Sequence, residues 1–226
     1  MTLVFDADDT LWENNSRFER VIADYLDWLA HPTLDRTVLR SMLNDVEAAN
    51  AAAHGYGSKV FLRSLHDLFE RLWERPVDAR ERQEIDELAA RLVDHRVELI
   101  PDVADTLREL GSRHRLALLT KGALDEQQAK IDASGLAPHF EAGTYVVAEK
   151  NVEAYERLAR ELGFDPASTW MIGNSPKSDI LPARAAGWGA VFIPNAHTWA
   201  LEHAELDSAD AGVLRLRSFG ELSRHF

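Results

Sequence analysis

The chain has 226 residues, 46% of them hydrophobic, which suits one large or two small domains with a real core. A formal net charge of −13 argues against general nucleic-acid or anionic-membrane binding, since both depend on basic surface. The absence of cysteine excludes disulfides and thiolate metal sites and fits a reducing interior.

Residues 2–6 read as a short buried strand, after which three aspartates crowd into four residues, Asp6, Asp8 and Asp9. Asp6 also interrupts the first apolar run too early for a leader segment. No later stretch approaches the roughly 20 apolar residues that span a bilayer, so a cytoplasmic protein is expected. Aspartate is a poor strand former and carboxylates repel one another. The crowding therefore costs stability unless something cationic or hydrogen-bonding sits among them. Asp9 reads as a turn or capping residue rather than a ligand.

Ser16 and Glu19 fit a capping box that opens a helix running to about Leu29. From there to about Leu99 the apolar residues recur three and four apart in three runs, 36–54, 58–76 and 78–99. The breaks fall near Pro32, at Gly55-Tyr56-Gly57 and at Pro76. After Ile100-Pro101 the texture changes. A helix over 103–111 leads to a strand over 115–120, a helix around 124–134 and a short strand around 144–148. A helix over 151–163, a strand over 168–173, a helix over 177–187, a strand over 190–194 and a weaker strand near 212–216 complete the order. Strands alternating with helices of this length imply right-handed crossovers and a parallel sheet. The expected architecture is an α/β core from residues 1–13 and 98–226, with an all-helical insertion over 14–97.

In an open parallel sheet, ligands bind beyond the carboxyl ends of the strands. Four such ends carry notable residues: Asp6 to Thr10, then Thr120-Lys121-Gly122, then Glu149-Lys150, then Gly173-Asn174-Ser175 with Asp179 beyond. Clustered carboxylates suit a hard divalent cation such as Mg2+, which keeps several waters and binds phosphate oxygens. The Thr120 hydroxyl, the amides near Gly122 and the Lys150 ammonium suit a phosphate. A carboxylate beside such a metal and a lysine can attack phosphorus covalently. Lys121 reads equally as a solvent-facing lysine and as a phosphate contact. Lys150 by itself reads as a surface lysine, and only its register with the other segments lifts it.

Taken in order, DADDTLW, LLTKG, Lys150 and IGNSPKSD resemble the four motifs of the haloacid dehalogenase superfamily of aspartate-nucleophile phosphohydrolases. The resemblance covers the whole chain, and the helical insertion is similar to the family's helical cap. It implies a Rossmann-like, doubly wound parallel sheet, Mg2+ as cofactor, and hydrolysis of a small soluble phosphate compound through an aspartyl-phosphate. By the motif match Asp6 is the nucleophile and Asp8 the general acid/base. Thr120 and Lys150 hold the phosphoryl group with Lys121 and Gly122. Asp6, Asp8, Asn174 and Asp179 form the metal set.

Two positions depart from the family's pattern. Asn174 stands where the fourth motif commonly has Asp, bringing one negative charge fewer, and Asn151 stands where proline often follows the lysine. Asp8 favours phosphate chemistry, because the family's true dehalogenases lack an acid there. A phosphosugar mutase uses the same motifs and is the rival enzyme; a non-catalytic phosphometabolite-binding protein is the rival from another class. A phosphonatase needs a cap lysine, and Lys59 is the insertion's only one. Tyr56 and Lys59, between two helices of the insertion, are candidates to touch substrate, although Gly55 and Gly57 most simply punctuate a turn. Trp12, Asn14 and Asn15 either line the substrate pocket or pack and cap. The nine histidines show no paired metal spacing.

Overall fold

Six short apolar runs pair side by side and in parallel in the computed structural model, which describes residues 1–92 and 97–226. They are β1 (Thr2–Phe5), β2 (Arg115–Lys121), β3 (Thr144–Val147), β4 (Thr169–Gly173), β5 (Gly189–Phe192) and β6 (Val213–Arg215). The spatial order is β3-β2-β1-β4-β5-β6, the doubly wound arrangement whose crevice opens where the order reverses, beside β1. Alternation along each strand divides the core between the two faces of the sheet. Leu3, Phe5, Leu116 and Leu118 pack on one face, and Val4, Ala117 and Leu119 on the other. Phe5 stands level with Leu118 of β2 and Ile172 of β4. β1 ends here, while β2 continues to Lys121 beside β3 and β4 to Gly173 beside β5.

The chain divides into two units, Met1–Asn15 with Arg96–Phe226, and Ser16–His95. The helices are α1 (Asn15–Leu29), α2 (Arg36–His54), α3 (Ser58–Trp73) and α4 (Ala79–Ala90), then α5 (Val103–Gly111), α6 (Leu124–Ser134), α7 (Val152–Leu162) and α8 (Leu181–Ala185). In the helical unit, Tyr25, Leu43, Phe61, Leu65, Leu68 and Ile85 close one apolar core. Asp35 caps α2, and Asp78 with Glu81 forms a reciprocal capping box on α4. In the α/β unit, Asn151 caps α7 through the Ala154 amide, and Gly163 ends it in the left-handed conformation.

Three local expectations are corrected. Ser16 does not open α1: the helix begins at Asn15, and Asp9 accepts from the amides of Asn14 and Asn15 at 2.9 and 3.0 Å. A carboxylate from the preceding loop thus does what a local capping box was expected to do. The helical run over 78–99 stops at Ala90; part of the rest lies outside the described residues, and Leu99 is extended, bridging Trp12. The helix over 177–187 begins instead as a π-helical segment, Pro176–Ile180, before α8. That wide turn fits Pro182, which has no amide proton to bond back into a regular helix. Among the described residues no helix is long and apolar enough to cross a membrane.

Candidate active site

At the carboxyl end of β1, Asp6 takes its backbone bond from β4, its amide donating to the Ile172 carbonyl at 2.9 Å. The residue is 7% exposed, and its carboxylate is bonded through both oxygens. The Lys150 ammonium donates to Asp6 Oδ1 at 2.5 Å and to Asp179 Oδ1 at 2.8 Å. The Thr10 hydroxyl donates to Asp6 Oδ2 at 2.8 Å and also lies 3.2 Å from Asn174 Oδ1. Asp179 completes its bonding with the Ser175 amide at 2.9 Å. Gly173 makes room for it, because a Cβ there would lie 2.2 Å from Asp179 Oδ2. The third and fourth segments of the sequence thus meet the first on one buried cation.

The charges in this node are strongly coupled to burial. Burial opposes the charged form of Lys150, yet Asp179 and Asp6 outweigh it and hold the ammonium above its usual range. Burial, and then the nearby Asp6, push Asp179 up to about 7 against the pull of Lys150. Burial also pushes Asp9 up to about 7, although the Asn14 and Asn15 amides favour its carboxylate. One ammonium does not fully offset the carboxylates gathered here.

Asp8 faces a different set of partners. Trp12 Nε1 donates to its Oδ1 at 2.7 Å and Gln127 Nε2 to its Oδ2 at 2.9 Å. The Lys130 ammonium reaches both oxygens, at 2.9 and 2.7 Å, and also bonds Asn14 Oδ1 at 2.9 Å. Burial raises the Asp8 carboxyl, but Lys130, Gln127 and Trp12 together outweigh it and hold it below its ordinary value. The bonds of the Asp8 carboxylate thus go to Trp12 and to Gln127 and Lys130 of α6.

The remaining predicted residues divide. Thr120 is buried with its hydroxyl 3.4 Å from Gln127 Oε1. Gly122 has φ 145° and leaves the space into which Gln127 packs. Lys121 turns its ammonium to Glu202 at 2.5 Å and Ser178 at 2.9 Å, so this side chain is tied to the protein's own acid. Trp12 is 1% exposed and part of the core, which makes it a packing residue rather than a pocket lining. Asn14 serves Lys130, and Asn15 Nδ2 donates to the His197 carbonyl at 2.6 Å. Tyr56 lies in the turn between α2 and α3, and Lys59 in the first turn of α3, both in the helical unit.

Thr10 and Ser175 were noted in the sequence only as members of their strand-end segments, and Gln127, Lys130 and Glu202 were not singled out. Of these last three, only Gln127 and Lys130 carried a signal. They are three apart on a helix that starts directly after a strand's carboxyl end, and so share the face nearest that rim.

The donor set fits a hard dication rather than a softer metal, because every candidate donor is oxygen. Among the described residues no three His, Cys, Asp or Glu side chains are gathered around one point. An ion here would rest on Asp6, Asp179, the Asn174 amide oxygen and water, a sparse set that suits Mg2+. The uncompensated charge beside Lys150 is the observation that favours one.

A model of the haloacid dehalogenase-like hydrolases matches residues 1–187 of the chain. The chain belongs to that family. A phosphoserine phosphatase from Thermus thermophilus is 29% identical over 179 residues, 76% of this chain and 69% of its own. A glyceraldehyde 3-phosphate phosphatase from Methanothermobacter thermautotrophicus is 30% identical over 120 residues, 50% of this chain and 53% of its own. Among solved structures, a haloacid dehalogenase-like family hydrolase from Xanthomonas campestris superposes with a TM-score of 0.85 at 26% identity, covering 100% of this chain and 93% of its own. An L-2-haloacid dehalogenase from Xanthobacter autotrophicus, at 22% identity and a TM-score of 0.64, covering 99% of this chain and 96% of its own, shares the fold. The curated relatives of this haloacid dehalogenase-like hydrolase are thus named for phosphate chemistry, and its fold is shared with a dehalogenase.

Proposed function

We propose that this hydrolase is a Mg2+-dependent phosphatase acting on a small phosphorylated metabolite. The observation that carries the reading is the buried Asp6–Lys150–Asp179 node with a second carboxylate, Asp8, two residues from Asp6. The resemblance drawn from the motifs reserves that second acid for phosphoryl transfer. Both curated relatives named above are phosphatases of small phosphomonoesters, which supports the same substrate class.

In this reading the Asp6 carboxylate attacks phosphorus and the bond to the leaving oxygen breaks. Asp8 supplies the proton which that oxygen takes up. Water then attacks the aspartyl-phosphate, Asp8 takes the water's proton, and the phosphorus–Asp6 bond breaks to restore the carboxylate. Lys150 offsets repulsion between anionic nucleophile and anionic substrate, while the Thr120 hydroxyl and the amides near Gly122 bond the phosphoryl oxygens. Bound at Asp6, Asp179 and Asn174, Mg2+ would add charge neutralisation of those oxygens. The helical unit acts as a cap, with Tyr56 and Lys59 as the places to test its selectivity. Lys121, paired with Glu202, is a support for the loops rather than a phosphate contact.

Phosphate release from a panel including O-phosphoserine, glyceraldehyde 3-phosphate and p-nitrophenyl phosphate, with and without Mg2+, tests this directly. Turnover that vanishes in chelator and returns with Mg2+ is expected, with Ca2+ a poor substitute because its looser coordination misplaces the attacking oxygen. Silence across the panel, or full activity after exhaustive chelation, overturns it.

A further inference from the structure

Asp8 is not left to choose its own orientation. Its two oxygens receive four bonds from three side chains, and Lys130 alone supplies two of them. Lys130 is fixed in turn by Asn14 Oδ1, at 2.9 Å. Gln127 is fixed by Thr120 and by the space left at Gly122, where a Cβ would stand 2.9 Å from Gln127 Nε2. A loop after β1, a loop after β2 and one face of α6 thus converge on a single carboxylate. A simple surface ion pair needs none of this additional anchoring, and pairs that only decorate a surface contribute little.

We infer that Lys130 is a positioning residue for Asp8, aiming the acid/base carboxylate by gripping both its oxygens while Gln127 links it to the phosphate-binding hydroxyl of Thr120. This rests on the phosphatase reading for its catalytic consequence, and on the geometry alone for the grip. Lys130 acts only through Asp8, so its loss falls on the steps that need Asp8, which are protonation of a poor leaving group and activation of water. Departure of p-nitrophenolate needs little proton donation and is spared.

The test compares Lys130→Met, Lys130→Arg, Asp8→Asn and the double variant Lys130→Met/Asp8→Asn on p-nitrophenyl phosphate and phenyl phosphate, with Mg2+. For Lys130→Met, kcat on phenyl phosphate should fall about 10–100-fold, the range typical when an orienting partner is removed. KM should move by less than about 3-fold, as for a residue that does not bind substrate. On p-nitrophenyl phosphate the first burst should survive while steady turnover slows. In the Asp8→Asn background, Lys130→Met should cost less than about 2-fold, because the interaction is already gone. Lys130→Arg should recover part of the loss.

A raised KM at unchanged kcat, or an equal loss in the Asp8→Asn background, overturns the inference and makes Lys130 a substrate contact. If the wild-type protein releases no phosphate from any probe, the phosphatase reading fails instead. The grip is then judged by the 13C resonance of the Asp8 carboxyl. It should shift in Lys130→Met, and an unmoved resonance overturns the inference by itself.

Discussion

In the helical unit the side chains removed from water include Val21, Ile22, Tyr25, Leu39, Leu43, Phe61, Leu65, Leu68, Phe69 and Ile85, with Glu47, Asn50 and Ser64 as polar company. The rim of the α/β unit buries Asp6, Asp9, Thr10, Thr120, Lys150, Asn174, Ser175 and Asp179 within a few residues of the strand ends. The first pattern lowers free energy by removing apolar surface from water. The second costs desolvation, which hydrogen bonds and ion pairs only partly return. A chain keeps such a cluster where it performs chemistry, and perturbed carboxyls such as Asp179 are its signature. Substitutions in the two regions should therefore separate stability from turnover.

Asp6→Asn should show the largest effect on turnover, a loss on the order of 10⁴-fold or more, as for removal of a nucleophile. Intact-mass measurement after incubation with substrate should find no phosphorylated protein. Next comes Asp8→Asn, expected to lose about 10²–10⁴-fold in the step that activates water. A burst of nitrophenol with a phosphoryl group trapped on Asp6 is the observation to seek; uniform slowing with no labelled protein would return Asp8 to a structural role.

Lys150→Ala should lower kcat/KM by about 10²-fold, as for loss of a preorganised electrostatic partner. It should also destabilise the fold by roughly 3–5 kcal/mol, because two buried carboxylates lose their shared cation. Thermal denaturation should reveal the second effect, and added Mg2+ should restore more of the lost Tm in this variant than it adds to wild type. A wild-type rate for Lys150→Ala would remove the node from the mechanism.

The helical unit supplies the opposite pole of the comparison. Leu65→Ala, at a fully buried position, should cost about 2–5 kcal/mol of stability. At a temperature where the variant is folded, turnover of p-nitrophenyl phosphate should stay within about 2-fold of wild type, as expected for a residue of the helical unit's own core that shares no partner with the site. Lys59→Ala should leave that generic substrate nearly unaffected, and any cost should appear only on the physiological compound. A large loss on p-nitrophenyl phosphate from either change would end the separation drawn above.

Strand positions in the α/β unit were legible because short continuous apolar runs such as Leu3-Val4-Phe5 and Leu116 to Leu119, set between helical patterns, fit strands buried on both faces. Asp6 and Thr120 stood out because polar residues at the ends of apolar runs are costly and so conspicuous, whereas Asp179 was singled out by the resemblance of IGNSPKSD to the family's fourth motif. Asp9 read correctly as a capping residue, since its own sequence context is that of a tight turn. The capping residue of α1 was misread at Ser16 because the true acceptor comes from outside the helix's own first turn. What the sequence alone could not decide was which cation meets which carboxylate. Lys130 reaches Asp8 across 122 residues, Lys150 reaches Asp6 across 144, and Glu202 takes Lys121 across 81. Strand order sets those pairings, and strand order follows from how crossovers lay helices on the two faces of the sheet. Local propensity determined what each segment became; only long-range packing, by bringing charges together out of water, decided that Asp6 and Asp8, two residues apart, keep different company.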